Sequence, residues 1–244
     1  MRFQTFVVVL AAALASCGKD DGLAPVSASA RVKVVNAIAG ANGVDFAVGD
    51  QRTFTGLSYT AVAPSLLGTY TALPAETPLR LRAYLGSATL IDSTAVLLAD
   101  ATYTFVGTGT SGGTGTSAPK FVLLQDNATA PASGAIRLRA LHTATSVGTI
   151  DIHAVLTGTQ FGATTRTFSN LSFRSVGTVD VPAGTYQICV LGAGVTPTAA
   201  GTNCAILVST GVQPAGTVLT ALARDANTPA ESTPQLQFVV DRTS

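Results

Sequence analysis

The chain has 244 residues, 47% apolar and only 11% charged, with a formal net charge of +1 and no Trp. That length suffices for one large or two small domains with cores of their own, and with so few charges the surface must be largely Thr, Ser, Gly and Ala. Lys and Arg are scattered singly or in alternating pairs and aromatics are 6%, so there is no basic field to gather phosphates and little for bases to stack on, which excludes nucleic acid as a partner.

Residues 1–16 carry the three parts of an export signal: Arg2 for positive charge, the apolar run "FVVVLAAALA" (6–15), and the small Ala15 and Ser16 before a cut. The run is too short for a stable membrane-spanning helix, which needs about 20 apolar residues. It ends in "LASC", a Leu and two small residues before Cys17. This motif resembles the lipobox of bacterial lipoproteins. The resemblance implies that Cys17 becomes the first residue of the mature chain and carries several acyl chains, enough for stable anchoring in a membrane. Gly18, not Asp, follows the cysteine, which in that family favours the outer membrane or cell surface over the inner membrane. Residues 17–29, the lipidated cysteine and a stretch of charged residues, Gly, Pro, Ser and Ala without periodicity, read as a flexible tether.

From Arg31 onward the chain alternates with the two-residue period of half-buried strands, with turn residues about every 8 to 12 residues. In "RVKVVNA" the polar Arg31 and Lys33 flank Val32; "PLRLRAYL" sets Arg80 and Arg82 against Leu79, Leu81 and Ala83; "AIRLRAL" repeats the device at Arg137 and Arg139. No segment has a helical period, and the abundance of Val and Thr points to an all-β chain. The glycine-rich "GTGTSGGTGTS" (107–117) lacks the lysine and following helix of a phosphate loop and reads as a floppy hairpin or interstrand loop.

The chain repeats itself. "RVKV" matches "RLRA", "VDF" at Val44 matches "IDI" at Ile150, "TFTGLSY" matches "TFSNLSF", "LPAETPLRL" matches "VPAGTYQIC", "LADATYTFVG" matches "QPAGTVLTAL", and "LLQDN" matches "FVVDR", all in one order. The expectation is two homologous domains, 30–131 and 132–244. Each has the size and strand number of an immunoglobulin-like or related Greek-key β-sandwich. These blocks resemble a family of bacterial cell-surface proteins known as domain of unknown function 4397. Its members show a first strand like "RVKVVNA", a "VDF" strand, an aromatic "LSY" block, a "PAGTY" turn and a final "YTFVGTG" strand. The resemblance covers nearly the whole mature chain and implies an extracytoplasmic β-sandwich without implying a reaction. "PAETP" in the first copy and "TVLTALA" in the second depart from the pattern.

Cys189 and Cys204 lie in neighbouring strand candidates of the second copy. In an oxidising compartment the expectation is a disulfide between them; a metal site is not expected, because further ligands at suitable spacing are missing. Asp151 and His153 are two apart on one strand, an imaginable metal or acid–base pair, but without a third ligand or nucleophile they read as an exposed strand face. His142, the second histidine, has no counterpart in the first copy. The recurring Asp45 and Asp151, and Asp126 and Asp241, read as partners of Arg31, Lys33, Arg137 and Arg139 across a sheet face, since no calcium loop surrounds them. Phe54, Tyr59, Phe168 and Phe173 recur at matching places and read as core.

With no catalytic residue, cofactor or metal site expected, the sequence describes a non-enzymatic, lipid-anchored cell-envelope protein. It would act as a binding, adhesion or spacer module toward an unknown surface protein or glycan. The alternative is a carbohydrate-binding or polysaccharide-active accessory protein, with Asp151 and His153 as its best candidates; the absence of Trp argues against it. Oligomeric state is left open.

Overall fold

The computed structural model describes residues 28–66, 68–126, 129–226 and 233–242; residues 1–27, with the leader, Cys17 and most of the tether, lie outside the described residues. The first half forms β1 (Ser29–Ala39), β2 (Val44–Val48), β3 (Gln51–Leu57), β4 (Val62–Ala63), β5 (Thr71–Pro74), β6 (Pro78–Leu85), β7 (Ala88–Val96), β8 (Thr102–Thr110) and β9 (Lys120–Gln125). The second half forms β10 (Ala135–His142), β11 (Ile150–Leu156), β12 (Arg166–Leu171), β13 (Val176–Pro182), β14 (Gly184–Gly192), β15 (Ile206–Gln213), β16 (Val218–Arg224) and β17 (Gln235–Arg242). The chain is an all-β sandwich protein.

Its strands make four sheets among the described residues, two from each half. In the first half, the order β4-β1-β8-β9, with β5 also on β1, faces the order β3-β2-β6-β7. In the second, β13-β10-β16-β17 faces β12-β11-β14-β15. In both, the first strand runs parallel to a late one, β1 to β8 and β10 to β16. Constant-type immunoglobulin domains put their first two strands in one sheet; here the chain leaves β1 for the opposite sheet. Buried Asn36 fixes that crossing, donating from Nδ2 to the carbonyls of Ala41 (2.9 Å) and Leu57 (3.0 Å).

Each sandwich fills its interior by alternation. Val32, Val34, Phe46, Leu81, Ala83 and Phe105 meet between the first pair of sheets, and Ile136, Leu138, Ile152, Ile188, Val190 and Leu219 between the second. The other face of β1 and β10 is not solvated. Val35, Ala37, Val106 and Leu124 pack against Leu141, Leu222 and Val239, so the two inner sheets are buried on both faces and the molecule is four sheets deep. Lys33 and Arg139, which alternate with apolar neighbours, are consequently 2% and 4% exposed.

Within that contact the buried charges pair with one another. Arg139 donates through Nη2 to Asp126 (2.7 Å) and Asp241 (2.6 Å), and through Nε to Thr220 (2.9 Å). Lys33 Nζ donates to the Val240 carbonyl (2.9 Å) and lies 4.5 Å from the Tyr70 ring centre. The recurring pair Asp126 and Asp241 therefore does meet the recurring cations, and it does so between the sandwiches.

The "GTGTSGGTGTS" segment is an ordered hairpin. Its first residues belong to β8, and a short 3₁₀ turn at Gly115–Ser117 leads to β9. The loop folds back so tightly that a Cβ on Gly113 would meet the Ser117 carbonyl oxygen at 2.4 Å. From the second sandwich, Arg174 clamps it, donating to Thr108 Oγ1 (2.8 Å) and to the carbonyls of Thr116 (2.8 Å) and Ala118.

The "PAGTY" turn works as its residues suggest: Gly184 has φ 153°, and Tyr186 enters the core with its hydroxyl on the Pro182 carbonyl (2.7 Å). Cys189 and Cys204 form a disulfide across 15 residues of sequence, with Cα atoms 5.4 Å apart.

Arg139→Met leaves two buried carboxylates without their cation and lowers unfolding free energy by about 3–5 kcal/mol. Arg137→Met, which breaks the part-exposed pair with Asp180 (2.8 Å), lowers it by about 1 kcal/mol or less; urea denaturation of the soluble chain reads both. Cys189→Ala with Cys204→Ala lowers stability by about 3 kcal/mol, the chain entropy of a 15-residue loop. Mass after alkylation under denaturing, non-reducing conditions stays unchanged in the wild type.

Candidate interaction surface

One polar device is built twice. Asp45 on β2 accepts the Gly56 N–H (2.7 Å) and pairs with Arg52. Asp151 on β11 accepts the Asn170 N–H (2.8 Å) and pairs with Arg166 (3.0 Å). Gly56 and Asn170 both have positive φ, 67° and 53°, beside the register shift where the third strand of each half joins the second. The carboxylates thus hold an irregular strand pair. Their cations are Arg52 and Arg166, not Arg31, Lys33, Arg137 or Arg139, because β2 and β11 lie in the outer sheets and those four residues in the inner ones. The Gly56 N–H and the Arg52 guanidinium hold the Asp45 carboxyl below the usual range. Burial pushes Asp151 up, but the N–H groups of Asn170 and Gly194, with Arg166, bring it below the usual range as well.

Beyond this frame the two outer faces differ. On the first sandwich, Arg80, Arg82 and Tyr84 of β6 stand beside Asp92 of β7 and Asp50. Arg80 grips Asp92 in a fork, and Arg82 pairs with Asp50 (2.6 Å). The guanidiniums of Arg52 and Arg82 lie 4.9 and 5.4 Å from the Tyr84 ring centre. The side chains of Arg80 and Asp92 are 55% and 42% exposed. The result is an open face of guanidiniums, carboxylates and one aromatic ring.

On the second sandwich the register of β14 on β11 puts Cys189 and Leu191 where the first has Arg82 and Tyr84. This face is covered by its own loops: Val155, Phe161, Cys189 and Leu191 form a small apolar cluster with Cys204 packed against it. The cover buries Asp151 and His153 completely, so they are not an exposed strand face as their alternation suggests. His153 Nδ1 lies 3.2 Å from Thr165 Oγ1 and Nε2 has no hydrogen-bond partner among the described residues. Burial, with Arg166 nearby, lowers its pKa. A neutral, enclosed imidazole without solvent access is not a site for acid–base chemistry.

His142 fills the place of Asn36. It too is buried, and its Nε2 lies 2.8 Å from the Gly148 carbonyl in the loop after its strand; the carbonyl accepts, so Nε2 carries the proton. Of the recurring aromatics, Phe54, Tyr59 and Phe168 are buried, while Phe173 is half-buried edge-on to His142. Tyr59 also reaches the other sandwich, donating to the Asp225 carbonyl (3.0 Å).

Among the described residues no cluster of three or more His, Cys, Asp or Glu is arranged to hold a metal ion, and no helix is long and apolar enough to cross a membrane. An apolar cavity of about 210 Å³ opens at one end of the second sandwich between Val147, Ile150, Val190, Ile206 and Pro234. Among the described residues its lining contains no carboxylate, imidazole or thiol.

No curated protein matches the chain. Among solved structures, it is similar to CBMbc (family CBM26) from Eubacterium rectale Amy13K, solved in complex with maltoheptaose. The identity is 15% and the TM-score 0.23, over 88% of this chain and 97% of that one, a score too low to bear on fold or ligand. The family described as domain of unknown function (DUF4397) matches residues 30–153, the whole first sandwich and on into β11. That match spans just over half of the 244 residues, and the chain belongs to the DUF4397 family.

Proposed function

We propose that this protein is a non-enzymatic, lipid-anchored binding module of the cell envelope, with a signal peptide over 1–16, an anchor at Cys17, a tether to residue 29 and two domains, 30–131 and 132–244. The observation that carries the reading is the contrast between the outer faces. Over β11 and β14 the second is covered by its own loops, whereas the first leaves Arg80, Asp92, Asp50 and Arg52 open to solvent around a half-buried Tyr84. Exposed ion pairs are worth about 0.2–1 kcal/mol each, so a ligand that trades hydrogen bonds with them displaces them at little cost. A partner with hydroxyl and carboxyl groups, a surface glycan or an acidic protein loop, suits such a face. The anchor would hold it at the membrane and the tether would give it reach.

Binding is tested with the soluble chain begun at Gly18 on an array of glycans and envelope or matrix proteins. The expectation is a saturable partner whose affinity falls at least about tenfold in a chain carrying Arg80→Ala and Tyr84→Ala, with Leu207→Ser on the second sandwich as a neutral control. A glycan hit favours the carbohydrate-binding form of this reading; silence across the array removes the recognition role and leaves a spacer. Anchoring is tested separately. In a bacterial host fed an alkyne-tagged fatty acid, the full chain takes up label and sediments with membranes, and Cys17→Ser does neither.

A further inference from the structure

The contact between the sandwiches holds two carboxyls and too few protons to serve them. Thr104 Oγ1 lies 2.8 Å from Asp126 Oδ2 and 2.8 Å from Asp241 Oδ1, yet a hydroxyl has one proton to give. Tyr70 is in the same position: its hydroxyl lies 3.2 Å from Asp126 Oδ2 and also contacts the Asp241 carbonyl oxygen. The carbonyl can only accept, so it takes the Tyr70 proton. If Thr104 donates to Asp241, Asp126 Oδ2 faces two hydroxyl oxygens whose protons are spent; if Thr104 donates to Asp126, Asp241 Oδ1 faces a lone pair. One more proton, on Asp126 Oδ2, satisfies both contacts of Thr104.

Among the described residues the remaining neighbours do not supply it. Arg139 Nη2 spends its two protons on Asp126 Oδ1 and Asp241 Oδ2, and Thr220 donates to Asp241 Oδ2. Lys33 on β1 donates to the Val240 carbonyl. Asp126, Asp241, Arg139 and Lys33 are all at most 4% exposed, so water does not make up the deficit cheaply.

We propose that the Asp126 carboxyl holds a bound proton beside Asp241 in the assembled interface, and that losing it as pH rises weakens the packing of the two sandwiches. With the proton on Asp126 Oδ2, that carboxyl donates to Thr104 and Thr104 donates to Asp241. Without it, a carboxylate faces a hydroxyl lone pair inside a dry contact. Burial, and then the neighbouring Asp241, push the Asp126 carboxyl from its ordinary 3.8 up to about 6.

The folded chain therefore keeps a proton that the unfolded chain has lost, and stability falls with pH between about 4 and about 6, by up to about tenfold in the folding constant per pH unit. Buried His142 and His153, whose pKa values are lowered by burial, act in the opposite direction below their ordinary 6.5. The pair is therefore isolated by comparison with Asp126→Asn, whose amide N–H₂ replaces the acid O–H toward Thr104 and whose carbonyl still accepts from Arg139.

The experiment measures urea unfolding of the disulfide-intact soluble chain from pH 4.5 to 7.5 for wild type and Asp126→Asn. The expected result is a variant that gains on the wild type by at least about tenfold in folding constant between pH 4.5 and 6.5. A difference that does not change with pH overturns the proposal. Infrared spectra at pH 5 give a second reading that needs no folded variant: the native wild type should show a protonated-carboxyl C=O band that fades by pH 8, and its absence at pH 5 also overturns the proposal.

Discussion

Burying both faces of the two inner sheets is the constraint on which the rest of this molecule depends. A sheet with one face in a core and the other in water tolerates any polar residue on the wet side. Here β1, β8, β10 and β16 have no wet side over most of their length, so every polar group on the second face must find a partner in the opposite sandwich. Thr104, Asp126, Arg139 and Asp241 do so as one connected set, with Thr220 holding Asp241 from its own sandwich, and Lys33 reaches across to the Val240 carbonyl. Replacing one member leaves the others enclosed without compensation. The set adds specificity of alignment to the apolar contact of Val35, Val106, Leu141 and Leu222, because a shift along the strands would separate the charges from their partners.

The repetition in the sequence shows how such a set arises. Lys33 and Arg139 sit at matching places in the first strand of each half, Thr104 and Thr220 in matching late strands, and Asp126 and Asp241 at or just beyond the last strands. The two inner sheets thus bring nearly the same residues to the contact from opposite sides, and like residues meet as neighbours. That is why two carboxylates come together in the interior, a juxtaposition that a contact between unrelated surfaces would have little reason to contain.

Much of this was legible in the sequence, and the failures share a cause. Alternation identified the strands, and proximity of Cys189 and Cys204 along neighbouring strands identified the disulfide, because these depend on local spacing. Alternation says which residues share a face, but not what lies against it. Arg137 and Arg139 look identical in "AIRLRAL"; the first pairs with Asp180 at the surface and the second is enclosed between sandwiches. Asp151 and His153 look exposed for the same reason, since the loops that cover them are fixed by Phe161 and Cys204, remote from the strand. The partners of Asp45 and Asp151 were missed because the backbone N–H groups that bind them exist only once the strand pair is irregular. Gly56 and Asn170, residues tolerant of positive φ, were the available signal.

The division of labour between faces bounds where recognition can reside. The interior of each sandwich and the inner contact must match themselves, so substitutions there meet a packed or charge-paired neighbour. The outer faces meet only solvent or loops, and the halves have diverged there: Arg82 and Tyr84 against Cys189 and Leu191 in equivalent places. An apolar outer face exposed to water would invite association with other chains, and in the second half the loops carrying Phe161 and Cys204 cover the β11 and β14 part of it, with the disulfide tying one of them to β14. A face of paired arginines and aspartates needs no such cover, since its groups are satisfied by one another and by water. The first sandwich can therefore stay open without loss of solubility, and an open face whose weak ion pairs exchange readily is the kind of surface on which a ligand competes on favourable terms.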